Sequence, residues 1–331
     1  MNRIFRWILW IAGLIILLLY PWLFGIYDTN VFVLFAIFAL FAVSFNLLLG
    51  FTGLLSFGHA MFFGVGGYGT AIALTRIEGL ALLPAVGIGV LAAILLALIL
   101  CPLLVRVSGT AFAMLTLAFG QLLYVLALKL RDLTGGEDGV GGFPIPPFTI
   151  PGVVSIDMTD PLNFYYFAMA VIILSIWVLW FFTKTPLGSV MVGIRDNANR
   201  VDYLGFKVPQ TKAVILVFSG AFAGVAGSIY ALFQNLISAD GAFHVMTSFA
   251  PVLMTMIGGV ASFFGPIWGS AIFAIIDEVT TRYTERVELV IGAILILVIL
   301  FAPMGFVGVY RVVKEKLSSR RSNKATMEVS S

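Results

Sequence analysis

Run after run of apolar residues, each close to the length a helix needs to cross a bilayer, dominates what this chain can fold into. The hydrocarbon core takes about 20 predominantly apolar residues in helical form. Residues 7–24, 31–49, 80–105, 110–129, 162–182 and 213–234 have that character. Residues 54–75 are apolar but crowded with glycine, 248–262 and 265–281 are split by Gly265-Pro266, and a last run covers 287–302. The expected fold class is all-α: a polytopic integral membrane protein of about ten segments, some broken or re-entrant. Composition agrees, with 61% hydrophobic and 11% charged residues. So little charge cannot cover a water-soluble globule, which excludes cytosolic enzymes, disordered tails and nucleic-acid binders.

The few charges assign an orientation. With the N-terminus inside, 14 of the 19 lysines and arginines are cytoplasmic, leaving Arg76, Lys129, Arg131, Arg282 and Arg286 outside. Positive charge favours the cytoplasmic side, so both termini are expected there. The basic start, Arg3 and Arg6, precedes an apolar stretch that lacks a small-residue cleavage site, and it reads as a retained first helix. Residues 1–310 form a single transmembrane domain, with an outer loop 131–161 and a cytoplasmic loop 183–212. Residues 311–331 form a basic tail suited to anionic lipid. Cys101, the one cysteine, sits in an apolar run and reads as a small buried hydrophobe.

Chemistry is conspicuously missing. There is no phosphate-binding G-x-x-x-x-G-K-[ST], no H-E-x-x-H and no G-x-S-x-G. No catalytic residue, metal site or bound cofactor is expected. Pumps driven by protons or ions carry ionisable residues at membrane depth, and no span here has an acidic residue near its centre. Energy for active transport would come from another chain.

The helix breaks are the places to look for a path. Irregular backbone survives in a membrane only against protein or a watery cavity, and glycine-interrupted segments point to binding paths in transporters. One such segment is FGHAMFFGVGGYGT, with Gly64, Gly66, Gly67 and Tyr68, preceded by Asn46 and Ser56 and containing His59. A second is Gly258-Gly259 with Ser262. The match between GLLSFG at 53–58 and GVASFFG at 259–265 suggests two inverted halves. His59 also reads as a neutral histidine bonded to a neighbour, and single glycines as tight packing. Thr116 and Gln121 either line the path or satisfy adjacent helices. Leucine at Gly66 or Gly67 is expected to block uptake without dispersing the protein's complex.

Specific motifs resemble a known family. SFNLLLGFTGLLSFGHAMFFGVGGYGTAIAL at 44–74 is similar to the signature of permease subunits of branched-chain amino acid ABC transporters. TGGEDGVGG at 134–142 resembles the outer loop of the LivM-type member. PLGSVMVGIRDNANRVDYLGF at 186–206 is similar to the family's cytoplasmic loop, where Arg195, Asn197, Leu204 and Gly205 fit and Arg200 or Val201 replaces an alanine. GGVASFFGPIWGSAIFAIIDE at 258–278 and ILVILFAPMG at 296–305 also fit.

The resemblance implies an importer with a second, LivH-type permease, two ATP-binding cassette subunits that hold ATP and Mg, and a periplasmic or surface-anchored binding protein. A coupling helix starting at Pro186, with Gly188, Arg195, Asp196, Asn197, Leu204 and Gly205, would dock on an ATPase. Gly135, Gly136, Glu137, Asp138 and Gly139 would meet the binding protein. The implied cargo is leucine, isoleucine or valine, passing through the bacterial or archaeal cytoplasmic membrane. An importer of urea, short amides or another amino acid class shares the glycine signature. A stand-alone channel or secondary carrier is the reading from a different class, and a scaffold is a more distant one.

Overall fold

The computed structural model describes residues 17–150, 154–260 and 262–283, with five isolated positions between 289 and 296. Residues 17–23 are helical. Eleven helices follow among the described residues. They are α1 Ile26–Thr52, α2 Ala60–Arg76, α3 Leu82–Leu104, α4 Gly109–Lys129, α5 Arg131–Thr134 and α6 Pro161–Lys184. The remaining five are α7 Pro186–Tyr203, α8 Val208–Gln234, α9 Ala239–Phe243, α10 Val245–Gly258 and α11 Gly265–Tyr283.

Among the described residues, six segments are long and apolar enough to cross a membrane: α1, α3, α4, α6, α8 and the stretch Ala239–Gly258 that joins α9 to α10. The expected count of about ten is therefore reached only in part. The glycine-crowded run becomes a 17-residue helix, α2, about 26 Å long at 1.5 Å per residue. That falls short of a hydrocarbon core of about 30 Å. Residues 7–16 and 297–302 lie outside the described residues.

α2 occupies the centre. It packs against α3 and α8, and these two also pack on each other. α1 lies across α8 and α6, while α10 and α11 form a pair whose two members both rest on α1. α1 and α2 carry the core: Ile37, Leu40, Phe41, Phe45, Met61, Phe62 and Phe63 are fully buried.

The helix ends follow from their sequences. Asp160 accepts a hydrogen bond from the Leu162 amide (3.1 Å) with Pro161 in the first turn, which fixes the start of α6. Pro186 and Pro209 occupy the same position in α7 and α8. Gly53, left-handed at φ 73°, ends α1 and turns the chain into the link to α2.

Three findings differ from the expectation. The glycines from Gly64 to Gly69 do not break the chain; the break is residues 53–59, and α2 runs on through them. The last apolar pair starts earlier, because Ser238 caps the short α9 and the helix restarts at Val245. The fold is also not purely helical. β1 Val140–Gly141 pairs antiparallel with β4 Leu236–Ile237, and β2 Phe148–Ile150 with β3 Val154–Ile156.

Candidate functional site

The two helix breaks, far apart in sequence, meet in space. Asn46, on the last turns of α1, donates from Nδ2 to the Ser262 carbonyl at 3.0 Å. Phe51 and Phe263 place their rings 6.4 Å apart. Gly50 lies so close to the second break that a Cβ there would strike the Val260 carbonyl oxygen. Both breaks begin with a glycine at positive φ, Gly53 at 73° and Gly259 at 113°. Gly258 packs directly on the Gly265 carbonyl, closing the second break on itself.

Around this junction the buried polar groups are only partly satisfied. His59 is fully buried at the start of α2, with its ring stacked on Phe41 (5.3 Å) and edge-on to Phe45 and Phe62. Its Nε2 lies 3.1 Å from Ser44 Oγ. The single hydroxyl proton of Ser44 goes to the Phe41 carbonyl at 2.7 Å, so Nε2 carries the histidine's proton and donates it. Nδ1 is then a bare acceptor, and it has no partner among the described residues. Asn46 Oδ1 and Ser56 Oγ are likewise buried and unpartnered among these residues. A buried polar atom left unpaired costs about 1–3 kcal/mol, and three such atoms lie beside this one junction.

The other sequence-predicted residues are distributed differently. Thr116 joins the junction: its Oγ1 accepts from the Phe57 amide at 3.2 Å. Gln121, five residues on, is half-buried and points to another side of α4. Gly64, Gly66 and Gly67 form a packing seam. A Cβ on Gly66 would collide with the Gly224 carbonyl, one on Gly64 with the Phe243 ring, and one on Gly67 would sit 2.9 Å from the Gly227 carbonyl. Tyr68 stacks on Phe243 (5.6 Å) more than two turns from His59, with its hydroxyl unpartnered.

The loop 183–212 forms α7, kinked at Asn197, whose Oδ1 caps the second half by accepting from the Arg200 amide at 3.0 Å. Gly188 is buried against the Thr183 carbonyl, while Asp196 is exposed and pairs with Arg195 at 3.2 Å. Arg195 also reaches inward, donating from Nη1 to the Gly50 carbonyl at 2.7 Å. At the end of the helix, Tyr203, Leu204 and Phe206 are exposed and Gly205 turns the chain at φ 88°. Gly205 and Phe206 border an open cleft of about 430 Å³ that Lys207 and Gln210 also line.

The loop 134–142 is built from left-handed glycines, Gly135, Gly136, Gly139 and Gly142, and presents Glu137 and Asp138 outward. Its strand pairing with β4 ties it to the segment leading into α9, where Asp240 accepts from the Tyr124 hydroxyl at 2.7 Å. Neither Asp240 nor Tyr124 stands out in the sequence. The available signal was a lone carboxylate between two apolar runs. No group of three metal-ligating side chains comes together among the described residues.

Residues 28–299 match the family model of the branched-chain amino acid transport system permease component. The chain belongs to this permease family. It is 24% identical over 321 residues to the high-affinity branched-chain amino acid transport system permease protein LivM of Escherichia coli, covering 91% of this chain and 75% of that one. It is 24% identical to a probable LivM of Methanocaldococcus jannaschii, covering 78% of this chain and 82% of the relative. The probable LivH of the same archaeon is 27% identical over 163 residues, 46% of this chain and 50% of the relative. No solved structure matches. The permease is thus a multi-pass membrane protein of the branched-chain amino acid transport family, and its resemblance to LivM spans nearly its whole length.

Proposed function

We propose that this permease forms half of the pathway of an ATP-binding cassette importer for leucine, isoleucine and valine. A LivH-type permease completes the pathway, two ATPase subunits supply the energy and a binding protein delivers the amino acid to the face bearing residues 134–142. The termini and α7 lie in the cytoplasm, in keeping with the 14 basic residues placed there.

The observation that carries this reading is the Arg195 bond to the Gly50 carbonyl. It ties the helix outside the apolar spans to the junction of both breaks. Exposed Tyr203, Leu204 and Phe206 at the outer end of α7 give a partner an apolar contact. A movement imposed there is passed through Arg195 to Gly50, and through Asn46 to the second break. Two of the unpartnered atoms at the junction, Asn46 Oδ1 and His59 Nδ1, are neutral acceptors. They suit an ammonium group without trapping it as a fixed carboxylate would. The surrounding phenylalanines suit an aliphatic side chain.

Leucine uptake into vesicles by the reconstituted complex, competed with urea and with polar amino acids, tests the cargo. Competition by urea alone would move the assignment to amide import. Arg195→Gln in that complex should lower uptake about tenfold, the loss of one charge-assisted hydrogen bond, while basal ATP hydrolysis persists. Normal uptake in this variant would remove Arg195 from the coupling route.

A further inference from the structure

A second polar place lies on the opposite face from α7. Asp240, on α9, is held by the Tyr124 hydroxyl at 2.7 Å and belongs to neither ion pair found among the described residues, Arg195–Asp196 and Arg282–Glu278. Behind it stands Tyr68, 4% exposed, with its hydroxyl unpartnered. The Tyr68 ring lies flat on Phe243, one helical turn from Asp240, at 5.6 Å and 8° between planes.

This group is fastened to the loop of residues 134–142. Val140 pairs with Ile237 and Gly141 with Leu236, and the Gly142 amide bonds the Asn235 carbonyl at 3.0 Å. Gly139 is packed so tightly on Ile237 and Ser238 that no side chain fits there. Ser238 then caps α9 through the Gly241 amide at 3.1 Å, which fixes where Asp240 stands. A partner that moves the glycine loop therefore moves the carboxylate with it.

The geometry points to Asp240, oriented by Tyr124 and backed by the buried Tyr68 hydroxyl, as a receiving subsite for the ammonium group of an α-amino acid. This rests on the amino acid import reading above. The chemistry is specific: a carboxylate already holding one hydroxyl donor keeps lone pairs for N–H donors, and the pairing is charge-assisted. The Tyr68 hydroxyl can donate to the carboxylate of the same zwitterion. Urea or a neutral amide offers no cation to this site.

Uptake of leucine by the reconstituted importer, with permease partner, ATPases and loaded binding protein, provides the test. Asp240→Asn should lower uptake about tenfold, as expected for loss of one charge-assisted contact. ATP hydrolysis stimulated by the loaded binding protein should stay within about twofold of wild type, since neither the α7 face nor the loop changes. Asp240→Glu should recover part of the uptake and Tyr68→Phe should lose a smaller part. Wild-type uptake in Asp240→Asn, or a parallel loss of uptake and stimulation, overturns the subsite and leaves the importer reading intact. Failure of the wild-type complex to take up leucine overturns the cargo assignment, and the subsite with it.

Discussion

Two regions of this permease look alike in sequence, both glycine-rich and both interrupting an apolar run, yet they are built oppositely. The seam of α2 against α8 and α3 is closely packed. Gly66 touches Gly224, Gly67 faces Gly227, and Gly89 sits against the Gly66 carbonyl. The two hydroxyls there are satisfied: Ser228 donates to the Gly66 and Gly224 carbonyls at 3.1 and 2.8 Å, and Thr70 to the Gly66 carbonyl at 3.1 Å. The junction of the two breaks, by contrast, leaves Asn46 Oδ1, Ser56 Oγ and His59 Nδ1 buried without partners. Small residues in the seam let backbones approach, which is what helix association in lipid requires. In the junction, positive-φ glycines turn the chain out of helix and bring polar side chains into the protein interior.

The contrast is most easily broken at the seam. Gly66→Leu would drive four side-chain carbons into the α8 backbone, and a carbonyl cannot step aside as a side chain can. Overpacking of this kind costs about 3 kcal/mol or more. The expected result is a loss of purified permease and a markedly lower unfolding temperature in detergent, measured alongside uptake. The sequence-based expectation that leucine here blocks uptake without dispersing the complex is therefore replaced. Gly67→Ala, where the contact is looser at 2.9 Å, should cost less. Equal stability of Gly66→Leu and wild type would mean the helices are held apart in the membrane.

How much was legible follows from the same distinction. The long apolar runs gave α1, α3, α4, α6 and α8 because span length is a property of contiguous sequence. Pro186 gave the start of α7 for the same local reason. The glycine run was located, but where it breaks the chain and where it packs was not legible, since a helical glycine facing Gly224 and a left-handed glycine at Gly53 read identically in one letter. The junction, the Arg195 bond to Gly50 and the pairing of β1 with β4 depend on residues 95 to 216 positions apart. No local pattern encodes them. Asp240 stayed hidden because its significance comes from Tyr124, 116 residues earlier.

The junction itself is probed next by Asn46→Ala. Removing the amide strands the Ser262 carbonyl and separates the two breaks, at about 1–3 kcal/mol. Unfolding temperature should fall by less than in Gly66→Leu, while leucine uptake should fall about tenfold, because one side-chain amide serves both, its Nδ2 in holding Ser262 and its Oδ1 in passage. A fall in stability without any loss of uptake would make Asn46 a strut alone.

The smallest structural change is the sharpest discriminator. Ser56 is 1% exposed and its hydroxyl has no hydrogen-bond partner among the described residues. Deleting an unpaired buried hydroxyl removes a desolvation penalty, so Ser56→Ala should leave stability unchanged or raise it by about 1 kcal/mol. Were Ser56 a packing residue like those of the seam, uptake would follow stability and stay level or rise. If its hydroxyl serves the passing amino acid, uptake should drop about threefold, one weak hydrogen bond, while the unfolding temperature holds or climbs. That opposition of sign cannot arise from damage to the fold, because damage lowers both. Thermal unfolding and vesicle uptake measured on one preparation would therefore separate a residue that builds the permease from one that serves its cargo.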